Sequence, residues 1–228
     1  MEESIRRLVR MHYGTFEERI VKATPIEQMM ALDMETQPPA EKPEELLMQP
    51  RQIIGIGAMY FTDKEPNLFI AEDEGAEYEP EMLSHFNDFI KSRRPLLVVG
   101  YGITILERPL LTLKMKTEYR DRRLWAINDM IERAYFLGLA HTIRFYLHNK
   151  GYIEKPSFMD FDTVIEHPAF RDLPLRREEK KLAPRGKTFI EKGRKISKLW
   201  KEEREKFRRY LISDVYNCFV LCKFIYQL

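Results

Sequence analysis

Met29-Met30-Ala31-Leu32-Asp33-Met34-Glu35-Thr36 is an apolar run that ends in two carboxylates one residue apart. The run predicts a buried strand. Side chains of a strand alternate between faces, so Asp33 and Glu35 point the same way. Two carboxylates on one face repel unless a cation sits between them. A hard divalent ion such as Mg²⁺, which takes oxygen ligands, meets that need. The same triplet recurs at Asp63-Lys64-Glu65, but Pro66 and Asn67 follow it, and there a hairpin turn is the better reading.

Working outward, the proline-rich stretch Gln37-Pro38-Pro39-Ala40-Glu41-Lys42-Pro43 predicts an extended loop. Strands are expected at Gln52–Phe61, rich in Ile and Gly, and at Asn67–Ala71, with the turn around Asp63 between them. Tyr78–Ser92 predicts a helix, with Pro80 in its first turn and Met82, Leu83, Phe86, Phe89 and Ile90 on one face. Leu96-Leu97-Val98-Val99-Gly100 is a continuous apolar run, as expected of a central strand covered on both faces. The chain then turns through Tyr101–Leu106 toward another helix.

Leu124–His148 reads as a long helical segment containing Gly138, and Ser157–Val164 as a short strand carrying Asp160 and Asp162. Glu202 to about Tyr226 predicts the last helix. Residues 1–28 read as an N-terminal appendage: an amphipathic helix around Ile5, Leu8 and Val9, then an edge strand at Arg19-Ile20-Val21. Residues 29–228 form the main domain. Its order of elements predicts an α/β fold with strands of mixed direction.

With 228 residues and 44% hydrophobic content, the chain can bury a real core. Charged residues make up 32% but the net charge is only +2, so any basic surface must be local. Residues 171–209 are dense in Arg and Lys, with Glu mixed in. Within them, Arg185, Lys187, Lys192, Arg194 and Lys195 stand in runs without acids of their own and are the candidates to grip a nucleic-acid backbone. The two cysteines, Cys218 and Cys222, sit four apart in an apolar helix and read as a reduced, buried pair. No apolar run reaches membrane-spanning length, and the charged start carries no secretory signal, so a cytoplasmic protein without membrane contact is expected. The histidines form no ligand spacing.

The final helix contains Tyr210-Leu211-Ile212-Ser213-Asp214, and spacing of four puts the phenol and the carboxylate on one helix face. Taken with Asp33-Met34-Glu35 and with Gly100-Tyr101-Gly102-Ile103-Thr104-Ile105-Leu106-Glu107-Arg108-Pro109-Leu110-Leu111, this spacing resembles the DnaQ-like (DEDD) 3′–5′ exonucleases, nearest to the proofreading domain of family-B DNA polymerases. The likeness runs over residues 28–228. The family's first motif is Asp-x-Glu, matched by Asp33 and Glu35. Its second reads roughly Gly-Tyr-Asn-x-x-x-Phe-Asp-x-Pro-x-Leu; Gly100, Tyr101, Pro109 and Leu111 match, while Gly102 replaces Asn and Leu106-Glu107 replaces Phe-Asp. Its third, Tyr-x-x-x-Asp, is matched by Tyr210 and Asp214. Arg209 stands where the other branch has His, so the Tyr (DEDDy) branch fits.

The resemblance implies an RNase H-like fold, a mixed five-stranded sheet flanked by helices. It implies a nuclease in which Asp33, Glu35, Glu107 and Asp214 hold two divalent ions, Mg²⁺ or Mn²⁺, about 4 Å apart, while Tyr210 orients the attacking water. Asp160 takes a supporting place before the third motif. The implied reaction is hydrolysis of terminal phosphodiesters to nucleoside 5′-monophosphates, on single-stranded DNA in preference to RNA, beside a replication or repair protein. Two alternatives stay open: a same-fold protein that binds nucleic acid or a partner without cutting, and an exoribonuclease. The longer side chain of Glu107 shifts its carboxylate by about one C–C bond, ~1.5 Å, and Mn²⁺ then suits the second motif better than Mg²⁺, which demands near-ideal geometry.

Overall fold

A computed structural model describes residues 16–38, 51–75, 77–120, 122–182 and 189–228. Among these residues five strands form: β1 (Met29–Thr36), β2 (Ile53–Tyr60), β3 (Asn67–Ile70), β4 (Leu97–Gly100) and β5 (Tyr135–Gly138). They pair in the order β3-β2-β1-β4-β5. β1 is antiparallel to β2 and parallel to β4, while β4 is parallel to β5. The mixed sheet expected from the sequence is present, with the acidic strand at its centre.

Alternation along β1 sorts its side chains between two cores. Met30, Leu32 and Met34 join one core with Phe86 of α2 (Tyr78–Lys91), Leu111 and Met115 of α3 (Glu107–Lys116), and Ile127 of α4 (Trp125–Arg133). Met29 and Ala31 join the other with Ile143 and Leu147 of α5 (Leu139–Asn149) and with Cys218, Leu221 and Cys222 of α9 (Arg204–Tyr226). Asp33 and Glu35 continue the second row, where the apolar layer gives way to acids. Both cysteines are free and buried.

Three sequence expectations change. The edge strand at Arg19-Ile20-Val21 is instead part of helix α1 (residues 16–23). Glu17 and Val21, one turn apart, both turn inward; Val21 enters the second core and Glu17 accepts hydrogen bonds from Thr142 and Tyr226. The long helix at Leu124–His148 is interrupted by β5. Its Tyr-Phe-Leu-Gly suits a strand, and the open edge of β4 offers backbone partners that outweigh the helical periodicity on either side. Ser157–Val164 is not a strand: Phe161–Ile165 forms helix α6, and Asp160 caps it by accepting a 2.6 Å hydrogen bond from the Thr163 N–H. The helix expected near Ile5 and the loop beyond Pro38 lie outside the described residues. Among the described residues, no helix is long and apolar enough to cross a membrane.

The second Asp-x-Glu is a turn, as expected. The Asp63 N–H donates to the Tyr60 carbonyl, and both acids are taken by arginines: Asp63 by Arg93 at 2.5 Å and Glu65 by Arg176 at 2.6 Å.

Candidate metal centre

The site is built where α9 crosses the C-terminal half of β1. In the β1–β2 register, Asp33 pairs with Gly57 and Glu35 with Gly55. Paired residues of an antiparallel ladder share a face, so both glycines lie on the carboxylate side. A Cβ on Gly57 would stand 2.6 Å from Cγ2 of Val215, and one on Gly55 would stand 2.9 Å from Cζ of Phe207. The two bare positions therefore let α9 settle against the sheet. The close approach brings Tyr210 and Asp214 over Asp33 and Glu35.

Carboxylate oxygens of Asp33, Glu35 and Asp214 lie within 4.8 Å of one another. The Tyr210 hydroxyl donates to Oε1 of Glu35 at 2.7 Å, and Ser213 Oγ donates to the Tyr210 carbonyl at 2.7 Å. Asp214 and Tyr210 are buried, while Asp33 and Glu35 are half-buried. Glu107, the first residue of α3, is buried beside this trio but outside its tight cluster. The sequence-predicted quartet is thus a close triad with Glu107 at its border.

Electrostatics record the crowding. Burial, then repulsion from Asp214, Glu35 and Glu107, holds the Asp33 carboxyl well above the usual carboxylate range, with Lys180 opposing. Burial and Asp214 raise Glu35 to about 7, against the Tyr210 hydrogen bond and the nearby charges of Lys192 and Lys180. Burial, with Glu35 and Asp214, raises Glu107 to about 7 despite a lowering backbone hydrogen bond. Oδ2 of Asp33 and Oε2 of Glu107 are buried with no hydrogen-bond partner among the described residues. An all-oxygen donor set with orphaned, mutually repelling carboxylates fits a hard divalent cation.

Lys192, on α8 (Phe189–Glu202), comes near enough to Glu35 to stabilise its charge. Arg194 is exposed. Lys195 forms an ion pair with Glu191 at 2.7 Å, so it has a neighbouring acid after all. Arg185 and Lys187 lie outside the described residues. Asp160 serves α6 as its cap.

One residue was missed. Lys180 ends α7 (Arg177–Lys180), and its Nζ lies 2.6 and 2.7 Å from the two oxygens of Asp214. Flanked by Arg, Glu and Lys, it reads as a solvated charge, and no local signal marks it as buried. Its address comes from further away: the Arg176 N–H donates to the buried Asn217 of α9 at 2.8 Å, and the Arg176 guanidinium lies over the Tyr216 ring at 4.4 Å. Those contacts pin the start of α7 to α9 and turn Lys180 inward.

No protein-family model matches the chain, and no curated protein matches it. Among solved structures, the fold is similar to that of the family B DNA polymerase from the hyperthermophilic archaeon Pyrobaculum calidifontis, with a TM-score of 0.61 and 19% sequence identity. The match covers 89% of this chain and 25% of the polymerase, so the chain spans about a quarter of that protein's length. At that identity the likeness shows the fold alone, an RNase H-like mixed sheet flanked by helices.

Proposed function

We propose that the protein is a metal-dependent 3′–5′ exonuclease acting on single-stranded DNA. The observation that carries this reading is the convergence of Asp33, Glu35 and Asp214, from two distant segments, beneath a tyrosine hydroxyl. Asp33, Glu35 and Asp214 would hold one divalent ion, and Asp33 with Glu107 a second. Mg²⁺ or Mn²⁺, when bound, supplies a lowered water pKa and neutralises charge on the attacking and leaving oxygens of the phosphodiester. Tyr210, fixed by its bond to Glu35 and kept protonated by burial and by the surrounding carboxylates, orients the attacking water. Lys192, with Arg194, Lys195, Arg185 and Lys187, would draw the strand in by its phosphates. Water adds at phosphorus, the 3′ oxygen of the penultimate sugar leaves with a proton, and a nucleoside 5′-monophosphate is released. The fold likeness to a DNA polymerase favours DNA over RNA, and such a nuclease would serve replication or repair.

A second reading has its own support. Both oxygens of Asp214 already face an ammonium, so a protein that binds nucleic acid without cutting would have this carboxylate neutralised without a metal. A 5′-labelled single-stranded DNA and its RNA counterpart, incubated with Mg²⁺, Mn²⁺ or chelator, separate the two. A ladder shortening from the 3′ end, abolished by chelator and by Asp33→Ala or Asp214→Ala, is expected. Salt-sensitive binding with no cleavage in either metal would favour the second reading.

A further inference from the structure

Lys180 is the one buried residue of α7. Its neighbour Lys181 pairs with Glu178 on the outside of α7, whereas the Lys180 side chain is only 3% exposed. Its ammonium contacts both oxygens of Asp214 and lies 3.3 Å from Oδ1 of Asp162. It also stands 4.6 Å from the Tyr210 ring and 5.1 Å from the Phe161 ring. Two acids and two aromatic faces make a cage for one cation. Asp214 is at the same time one of the three carboxylates of the metal centre. A divalent ion on Asp214 and the ammonium on the same carboxylate would stand a few ångströms apart in a largely dry pocket, where like charges repel strongly.

We propose that Lys180 is a tethered counter-ion that competes with the divalent cation for Asp214, and so sets how tightly the centre binds metal. This rests on reading the triad as a metal centre. In the metal-free protein the ammonium offsets the crowded carboxylates. Metal loads at Asp33, Glu35 and Asp214 as Lys180 yields an Asp214 oxygen and keeps its hold on Asp162. Lys180 is thus a positioning residue, governing the availability of a ligand without touching substrate.

Mn²⁺ titration followed by electron paramagnetic resonance tests this on the full chain. Lys180→Met should bind Mn²⁺ more tightly than wild type by about tenfold or more, since each tenfold corresponds to one modest charge interaction. Asp162→Asn, which takes away the acid that receives Lys180, should bind it more weakly. Thermal melting supplies a second readout: Lys180→Met should melt below wild type in chelator and gain more from Mn²⁺. If wild type binds Mn²⁺, and loses it with Asp33→Asn, while Lys180→Met binds no tighter, the competition is overturned and the metal centre stands. If neither wild type nor Lys180→Met binds Mn²⁺, the metal reading falls and the proposal with it. Should Lys180→Met fail to fold even with Mn²⁺, Asp162→Asn decides, and unchanged or tighter binding there overturns the proposal.

Discussion

A Cβ built on Gly102 would lie 3.7 Å from Oε2 and 3.9 Å from Oε1 of Glu107. Gly102 and Glu107, two of the three positions that depart from the second motif the sequence resembles, are therefore neighbours in space. Where the family pattern has Asn and Asp, this chain has no side chain and a longer acid, and the longer acid reaches toward the space that the missing side chain leaves. Gly102→Asn should crowd or hydrogen-bond the Glu107 carboxylate and weaken metal binding. Glu107→Asp alone should weaken it by leaving the ligand short. The double variant should recover part of both losses, a coupling of about 1–2 kcal/mol of the kind expected between contacting residues. A calorimetric double-mutant cycle with Mn²⁺ measures it; strict additivity would mean the two changes are independent.

Gly57 holds α9 down on the sheet. Gly57→Ala places a methyl 2.6 Å from Cγ2 of Val215, and overpacking of that kind costs about 1–3 kcal/mol. Chemical denaturation should register this loss, and Mn²⁺ affinity should fall with it, because Asp214 rides on the displaced helix. Gly57→Ala with unchanged affinity would show that α9 relaxes without moving its carboxylate.

The crowded carboxylates make metal-free stability depend on pH. Glu35 and Glu107 rise from an ordinary 4.5 to about 7 on folding. Between those values the native state keeps protons that the unfolded chain has lost, so raising the pH pulls the equilibrium toward unfolding. In chelator the melting temperature should fall as pH climbs through this window. Saturating Mn²⁺ should flatten the slope, since metal-bound carboxylates are ionised in the native state too. A melting temperature that rises with pH in chelator would contradict the crowding.

Asp160 separates capping from chemistry. Asp160→Ala should cost about 1 kcal/mol, the usual value of a lost N-cap, and change Mn²⁺ affinity far less than Asp33→Ala or Asp214→Ala, because Asp160 is not one of the clustered carboxylates. A large loss of affinity without a loss of stability would restore Asp160 to the site.

The acidic strand and the Tyr210–Asp214 pair were legible because each obeys a short-range rule: alternation along a strand, and one turn along a helix. What the rules missed depended on partners far away in sequence. β5 is four residues between two helices of similar apolar spacing, and only the free edge of β4 makes it a strand. Met159-Asp160-Phe161-Asp162 alternates apolar and acidic like a strand, yet the Asp160 cap turns it into a helix start. Lys180 sits in a charged run, and its burial is dictated by Asn217 and Tyr216, more than thirty residues on. The role of Gly55 and Gly57 was hidden too: glycine weakens a strand locally, and its use here shows only once α9 lies across it.

The most direct test is a crystal of the protein with a short single-stranded DNA and Mn²⁺, read by anomalous scattering. The account predicts a peak among Asp33, Glu35 and Asp214, the 3′-terminal phosphodiester beside it, and Tyr210 facing the phosphorus. A second, weaker peak should lie between Asp33 and Glu107. DNA bound elsewhere, with no anomalous peak within reach of Asp214, would contradict it.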